Sequence, residues 1–228
     1  MSLGSLFIVS TPIGNLEDFS FRALKILKQV DLILCEDTRK TSRLCAHYQI
    51  KKSLLNYHQH SKINKVNQIF KLLEQGKNLA LVSDAGTPGI SDPGNKLIEM
   101  AYKKFNNLKI IPIPGPSAVI TALSVCGFPT DKFLFLGFCP QKRRRKKFFQ
   151  QIAQATYTVV FYESPYRILK TLVELKEFIE LNNQQVFVGR EMTKKFETIY
   201  RGEIDQVLES IKKDKLKGEF TVIVRTKM

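Results

Sequence analysis

Three glycine-bearing loops of this 228-residue chain follow short apolar runs, and they are the first places where chemistry is expected. They lie at residues 11–15, 83–94 and 114–118. Glycine lets a backbone approach a ligand closely, and proline lowers the entropy that is lost when a loop is ordered. None of the loops has the spacing GxGxxG or GxxxxGK[ST], which disfavours a Rossmann dinucleotide site and a P-loop. Taken singly, each glycine is equally compatible with an ordinary turn.

Asp84 is the sharpest candidate within these loops. It follows the apolar run at residues 79–82 and Ser83, so its carboxylate is expected at the rim of a core. There it would accept hydrogen bonds from ribose hydroxyls or attract a cationic ligand. The alternative is that Asp84 only caps the turn that follows it.

Two neighbouring carboxylates beside a guanidinium form a second candidate site, at Glu36, Asp37 and Arg39. Such a group can hold a substrate or supply a base. The alternative is a helix N-terminus that is capped by Asp37 or Thr38, with Arg39 at the surface. His58 and His60 share one face of an extended segment and are compatible with a base or an RNA contact. The sequence predicts no metal site, because neither histidine has a cysteine or carboxylate at ligand spacing.

Positive charge is the second signal: 36 Lys and Arg against 21 Asp and Glu give a net charge of +15. Six cations stand together at residues 142–147. RNA or DNA is a natural partner for such a run, because neutralising phosphates releases counterions. The alternative is a lysine-rich composition that covers every surface. Three consecutive arginines favour the first interpretation, and the predicted RNA contacts are Arg143, Arg144, Arg145, Lys146 and Lys147.

The elements that must position these residues alternate regularly. Up to residue 113, short apolar runs alternate with amphipathic helical periods, which predicts a mostly parallel α/β sheet. After residue 127 strands become more frequent, which predicts a mixed sheet. Proline and glycine near residues 112–131 predict a boundary, with an N-terminal α/β domain at 1–117 and a C-terminal α/β domain at 118–228. Scattered cysteines and the lack of an unbroken long apolar run predict a cytoplasmic protein without membrane contact.

Taken together, the loops resemble those of the tetrapyrrole-methylase-like, class III S-adenosylmethionine-dependent methyltransferases. The matching segments are LFIVSTPIGNLED at 6–18, EDTR at 36–39, SDAGTPGISDPG at 83–94 and PIPGPSA at 112–118. ESPYR at 163–167, GREMTK at 189–194 and KGE at 217–219 continue the match in order. Within this superfamily, the chain resembles the branch that methylates a cytidine 2′-hydroxyl in the decoding region of 16S rRNA.

The resemblance implies two α/β domains with S-adenosylmethionine in the cleft between them, a homodimer, and small-subunit rRNA or the 30S subunit as partner. It places Asp84 in the donor site as a ribose-binding carboxylate. The other donor-binding residues that it implies are Pro12, Gly14, Gly86, Thr87, Ser117 and Ala118.

A ribose 2′-hydroxyl is a poor nucleophile, so a base or a positive neighbour is expected to help it ionise. The candidates are Glu36, Asp37 and Lys194, with His58 behind them. On this basis, Asp37→Asn is expected to keep donor binding and to lose methyl transfer.

Two other functions stay open at this point. The first is methylation of a tetrapyrrole ring, for which the arginine-rich run would be superfluous. The second is a ribosome-binding protein that keeps the fold without catalysis, against which the intact loops argue.

Overall fold

A computed structural model describes residues 2–58, 61–179 and 185–225 of the chain. The chain divides into two compact units, residues 1–117 and residues 118–228. Within the described residues, each unit contains one five-stranded sheet flanked by helices. The predicted α/β fold class, with a parallel sheet followed by a mixed sheet, is therefore confirmed.

The first unit is a parallel sheet in the order β3-β2-β4-β1-β5. Its strands are β1 (Leu6–Val9), β2 (Leu32–Cys35), β3 (Ser53–Asn56), β4 (Leu79–Val82) and β5 (Ile110–Ile113). Its helices are α1 (Phe21–Gln29), α2 (Thr38–His47), α3 (Ile63–Glu74) and α4 (Asn95–Lys104). Helices α1 and α2 pack on one face of the sheet, and α3 and α4 pack on the other.

Local sequence explains where these elements lie. Strand β4 is apolar throughout and completely buried, as expected for a central strand of a parallel sheet. Strand β5 contains Pro112, which lacks the N–H that a central strand needs, and β5 accordingly forms an edge. Helix α1 begins after Ser20, whose hydroxyl accepts a hydrogen bond from the Ala23 N–H.

The strand order places a topological switch point between β1 and β4. The chain leaves β1 through α1 toward β2, and it leaves β4 through α4 toward β5, in the opposite direction. Helices α1 and α4 lie on opposite faces of the sheet. A crevice therefore opens at the carboxyl ends of β1 and β4, which is where ligands bind in open α/β sheets.

The second unit is a mixed sheet in the order β6-β7-β10-β8-β9. Its strands are β6 (Phe133–Phe138), β7 (Thr158–Glu163), β8 (Gln185–Arg190), β9 (Thr198–Glu203) and β10 (Phe220–Val224). Strand β6 runs parallel to β7, whereas the other described neighbours are antiparallel. Helix α5 (Ala118–Cys126) packs on one face. The other face carries α6 (Arg145–Ala153), α7 (Ile168–Ile179) and α8 (Ile204–Lys212).

The start of α6 lies inside the arginine-rich run. Arg144 has a left-handed backbone (φ +70°), so the helix begins at Arg145 rather than at Arg144. None of the helices in the described ranges is long and apolar enough to cross a membrane.

Candidate active site

Two predicted loops of the first unit meet at the carboxyl edge of its sheet. Thr11, after β1, and Gly86, after β4, form an isolated antiparallel bridge. The Thr11 N–H donates to the Gly86 carbonyl at 2.9 Å, and the Gly86 N–H donates to the Thr11 carbonyl at 3.1 Å. The Thr11 hydroxyl also donates to the Ser83 carbonyl at 3.3 Å. These bonds hold both loops over the switch point.

The Thr87 hydroxyl ties the third loop to the other two. It donates to the Pro116 carbonyl at 3.3 Å and lies 2.9 Å from the Ser10 hydroxyl. Ser10 follows β1 and Pro116 follows β5, so one side chain connects three loops. Thr87 therefore organises the site within the first unit, in addition to being a predicted donor-binding residue.

Gly86 needs to be glycine for two reasons. Its φ of +77° lies in the left-handed region that residues with a side chain rarely adopt. A Cβ at this position would also lie 3.3 Å from Ile13 Cγ2 and 3.6 Å from the Pro116 carbonyl. The backbone of the second loop thus lies directly against the first and third loops.

Asp84 lies at the rim of the sheet, as predicted, but two first-unit groups already contact it. Its Oδ1 accepts a hydrogen bond from the Asp37 backbone N–H at 3.2 Å, and its Oδ2 lies 2.8 Å from Lys40 Nζ. A carboxylate offers about four acceptor positions, so capacity for a ligand hydroxyl is left. Sequence reasoning missed Lys40, although its position three residues beyond Asp37 was a usable signal.

A cavity of about 350 Å³ opens beside Asp84 within the first unit. This volume is within the range of small-molecule sites. Helix α2 supplies one wall with Lys40, Leu44 and His47, which the spacing i, i+4, i+7 places on one helix face. The predicted residues Pro12, Gly14 and Asp84 line it. The remaining lining residues are Thr11, Ile13, Leu16, Thr41, Arg43, Ser83 and Ala85.

Asp37 is the N-cap of α2, which is one of the two roles that the sequence left open for it. Its carboxylate caps α2 by accepting the Arg39 backbone N–H at 2.9 Å, and both of its oxygens accept from the Arg39 guanidinium, at 3.0 and 2.8 Å. These hydrogen bonds from Arg39 hold the pKa of Asp37 well below its usual value. The carboxylate is therefore ionised but weakly basic. The side chain of neighbouring Glu36 forms no hydrogen bond to another described residue.

Lys194, in the second unit, lies between two carboxylates. Its Nζ is 2.9 Å from Glu191 Oε1 and 2.9 Å from Glu219 Oε2. Burial by itself lowers the pKa of Lys194, but the hydrogen bonds to Glu219 and Glu191 outweigh it, so the pKa is raised. Lys194 is thus a permanent cation near neutral pH, suited to stabilising negative charge and unsuited to accepting a proton.

The loop that carries Lys194 is strained. Glu191 has a φ of +52° and Thr193 a φ of +68°, although neither is glycine. A β-branched residue with positive φ is a genuine outlier, and strained backbone tends to cluster at functional positions. The Thr193 hydroxyl is buried without a hydrogen bond to any described residue.

The structure corrects the prediction for Arg145. Its guanidinium is buried and contacts Glu174 Oε2 at 2.7 Å, the Pro140 carbonyl at 2.7 Å and Thr171 Oγ1 at 3.1 Å. It faces the interior because α6 begins at Arg145 and turns that side chain toward α7. By contrast, Arg143, Arg144, Lys146 and Lys147 are exposed.

Arg145 belongs to a buried network at the end of β7. The Thr171 hydroxyl, which accepts a hydrogen bond from Arg145, donates one to Glu163 Oε2 at 2.6 Å. The fully buried Glu163 also accepts the Ser164 N–H and forms an ion pair with Arg167, each at 2.6 Å. This network fixes the ESPYR loop. Sequence reasoning identified that loop, but it did not identify its connection to the arginine-rich run.

The remaining candidates are more ordinary. The His58 N–H donates to the Ser61 hydroxyl at 2.9 Å, and the His58 carbonyl accepts the Ser61 N–H at 2.8 Å. His60 lies outside the described residues. Ser117 ends the first unit, and Ala118 is the first residue of α5. Burial raises the pKa of the Cys139 thiol to about 11. No group of three potential metal ligands occurs among the described residues.

Comparison with known proteins shows which family this chain belongs to. The model of the tetrapyrrole (corrin/porphyrin) methylases matches residues 5–208. Ribosomal RNA small subunit methyltransferase I of Thermotoga maritima is 44% identical over 225 residues, which cover 99% of this chain and 100% of that protein. The chain belongs to the ribosomal RNA small subunit methyltransferase I group of the tetrapyrrole methylase family. The protein of the same name from Bacillus subtilis is 42% identical over 97% of this chain and 75% of its own length.

Solved structures of the tetrapyrrole methylase fold are similar to the whole chain. A cobalt precorrin-4 methyltransferase superposes with a TM-score of 0.71 at 17% identity, over 97% of this chain and 94% of that one. A diphthine synthase superposes with a TM-score of 0.72 at 12% identity, over 97% and 90%. At these identities the similarity concerns the fold alone.

Membership of the tetrapyrrole methylase family implies a methyl donor of the S-adenosylmethionine type, and the first-unit cavity fits such a molecule. The Asp84 carboxylate suits a ribose hydroxyl or a sulfonium cation. Ile13, Leu16 and Leu44 offer apolar walls for a flat ring. Gly86 itself is buried and bonded to Thr11, so the second loop faces the cavity through Ser83, Asp84 and Ala85.

Proposed function

We propose that this protein transfers a methyl group from S-adenosylmethionine to the 2′-hydroxyl of a cytidine in the decoding region of small-subunit rRNA. The observation that carries the proposal is the cavity beside Asp84 at the switch point of the first sheet, in a chain 44% identical to an rRNA methyltransferase. The net charge of +15 supports an RNA substrate. The homodimer and the 30S subunit as partner belong to the same proposal.

Of the residues that would hold the donor, all but Ala118 belong to the first unit. Asp84 would accept a ribose hydroxyl while Lys40 and the Asp37 N–H keep its carboxylate in place. The backbone around Gly86 and Thr87 would contact the donor, together with Pro12, Gly14, Ser117 and Ala118. When bound, the donor supplies an electrophilic methyl group on a positively charged sulfur. Because charge is neutralised in the transfer, alignment and exclusion of water are the main demands on the protein.

Proton removal from the 2′-hydroxyl would fall to Glu36. Asp37 is a weak base because Arg39 lowers its pKa, and Lys194 stays protonated. Glu36 adjoins Asp37, whose N–H contacts Asp84, and its carboxylate has no competing hydrogen bond within the described part of the chain. Glu36 would take the hydroxyl proton as the new carbon–oxygen bond forms and the thioether leaves. Lys194 would offset negative charge on the RNA.

The test of the proposal is methyl transfer from labelled S-adenosylmethionine to small ribosomal subunits that lack this modification, followed by nuclease mapping of the label. We expect one labelled 2′-O-methylcytidine. Label on a base or on another nucleotide would refute the specificity, and no label despite measurable donor binding would refute an rRNA substrate. Transfer to a tetrapyrrole instead would identify the alternative activity.

A matched pair of aspartates tests the donor site separately. Asp84→Asn removes the charge with little change of shape, and we expect donor affinity to fall by about tenfold or more. Asp31 is the control, because it too accepts a backbone N–H, from Asn78 at 2.8 Å, and a lysine, Lys77 at 3.4 Å. Asp31→Asn should leave donor affinity unchanged. Equal losses in both variants would contradict the assignment of Asp84.

A further inference from the structure

The second unit contains a cavity of about 490 Å³ that the donor site does not involve. It lies between the beginning of β6 and the segment that connects α6 to β7. Its apolar lining residues are Leu134 and Ala155, and its polar ones are Lys147, Gln150, Gln151, Gln154, Thr156 and Tyr157. All six polar residues are exposed.

Helix α6 presents these side chains as one surface. Lys147, Gln150 and Gln154 follow the spacing i, i+3, i+7, which places them on one face. The opposite face of the helix buries Phe148, Phe149 and Ile152 in the core. The orientation of the polar face is therefore fixed by the packing of the apolar one.

Charge increases toward the start of the same helix. Arg143, Arg144 and Lys146 are exposed there, directly before the first glutamine of the cavity. At the other end, Lys132 Nζ lies 5.7 Å from the centre of the Tyr157 ring. A chain of negative charges that crosses the cavity would therefore meet cations on both sides.

The composition of the lining identifies the kind of ligand. Each glutamine amide offers both donors and acceptors, which matches the edge of a nucleobase. Tyr157 offers an aromatic ring of the kind on which unpaired bases stack. An acidic peptide would call for cations inside the cavity, whereas Lys147 is the one cation among its eight described lining residues.

We propose that this cavity binds one unpaired base of the RNA substrate, with the glutamine amides on the base edge and Tyr157 against its ring. The exposed cations at the start of α6 and Lys132 would hold the adjoining phosphates. The assignment rests on the proposed function in so far as RNA is the substrate. It adds an RNA subsite in the second unit, separate from the donor cavity.

The experiment compares two probes of equal length and charge: a six-nucleotide single-stranded oligocytidine and its abasic counterpart. Binding is followed by fluorescence anisotropy. We expect the wild type to prefer the oligocytidine and Tyr157→Ala to bind it about 5- to 150-fold more weakly, the range for removing one stacking platform. Tyr157→Phe should retain the preference, because it keeps the ring. The double variant Gln150→Ala/Gln154→Ala should lose part of it.

Controls separate the pocket from general charge and from folding. Tyr102→Ala removes an exposed tyrosine of the first unit and should bind both probes like the wild type. Arg143→Ala/Arg144→Ala should weaken both probes equally. Thermal unfolding of every variant identifies any that fails to fold, and for Tyr157 the phenylalanine variant then supplies the comparison.

Three outcomes would overturn the proposal that this cavity binds an RNA base. These are equal binding of the two probes by the wild type, unchanged oligocytidine affinity in both Tyr157→Ala and the glutamine variant, and displacement of the oligocytidine by an oligoglutamate peptide at equal concentration. Methyl transfer to small subunits is measured with the same preparations. If methyl transfer occurs but the Tyr157 and glutamine variants bind oligocytidine like the wild type, only the base-binding cavity is refuted. If those variants weaken binding but no methyl transfer occurs, only the proposed function is refuted.

Discussion

Thr11 and Gly86 exchange two backbone hydrogen bonds, at 2.9 and 3.1 Å, and so join the loop after β1 to the loop after β4. The two loops are 75 residues apart in the chain and belong to strands that lead toward opposite sides of the sheet. Their pairing closes the crevice at the switch point on one side. The shape of the cavity that we propose for the donor therefore depends on the conformation of Gly86.

Gly86→Ala should weaken both folding and donor binding. Alanine at a φ of +77° is strained, and its Cβ would press on Ile13. We expect a loss of about 1–2 kcal/mol in the free energy of unfolding, measured by urea denaturation. Donor affinity, measured by calorimetry, should fall at least severalfold, because the second loop must shift.

Gly76→Ala is the matched control for this prediction. Gly76 has a φ of +80°, and its Cβ would lie 3.2 Å from the Ser2 carbonyl. It follows α3 and does not line the cavity, so stability should fall by a similar amount while donor affinity stays the same. An equal loss of donor affinity in both variants would mean that instability alone explains the Gly86 result.

Glu36→Gln and Asp37→Asn should show which of these two carboxylates acts as the base and which only caps α2. Asparagine caps a helix about as well as aspartate, so Asp37→Asn should keep α2 intact, whereas Asp37→Ala should cost about 1 kcal/mol. If Glu36 is the base, Glu36→Gln loses methyl transfer by about 100-fold or more at unchanged donor affinity. Single-turnover rates under saturating donor provide the measurement.

The same experiment decides between the two carboxylates. The sequence alone favoured loss of transfer in Asp37→Asn, whereas the Arg39 contacts make that carboxylate a poor base. Loss of transfer in Asp37→Asn with normal turnover in Glu36→Gln would reverse the assignment proposed above.

Arg145 and its neighbour Arg144 should behave oppositely on substitution. Arg145→Met removes a buried cation and the hydrogen bonds that its guanidinium donates to Glu174 and Thr171, so we expect a loss of about 2–4 kcal/mol in unfolding free energy. Arg144→Met should change stability by less than about 0.5 kcal/mol, because its side chain is exposed.

RNA affinity provides the second measurement for the arginine-rich run. Replacing Arg143 and Arg144 together should flatten the slope of log affinity against log salt by about 1.4–1.8, if each contacts one phosphate. A slope that does not change would show that these arginines are solvated surface residues.

Lys194→Met should make stability depend on pH in the opposite sense to the wild type. Burial by itself raises the pKa of Glu191, but the hydrogen bonds from Lys194 and the Glu219 N–H, together with the charges of Lys194 and Arg190, outweigh it and the pKa is lowered. The wild-type ion pair therefore contributes stability that is fully present above about pH 4.3, the ordinary glutamate pKa, and is lost as pH falls further. Without Lys194, Glu191 and Glu219 repel each other once both are ionised.

The deficit of Lys194→Met relative to the wild type should consequently grow from pH 4 to pH 7, to about 1–2 kcal/mol. The raised pKa of Lys194 itself matters only above about pH 10.4, outside this window. Urea denaturation at both pH values is the measurement. Lys195→Met, at an exposed lysine next in the chain, should show no such trend. A deficit that shrinks toward pH 7 would contradict the ion-pair account.

Much of the fold could be predicted from the sequence, because it depends on local pattern. Strand β4 is a continuous apolar run, and a strand with two buried faces requires that composition. Helix α4 occupies Asn95–Lys104, the range that its amphipathic period predicts. The carboxyl-edge position of Asp84 followed from the strand before it.

What a side chain contacts was decided only by the tertiary structure. Within one run of cations, Arg145 is buried and Arg144 is exposed, because the left-handed backbone at Arg144 sets where α6 starts and which face packs on α7. Lys40 contacts Asp84, 44 residues away, because β2 and β4 are neighbours in the sheet. Composition and spacing specify which residues are apolar or charged, but long-range packing determines which charges lie side by side.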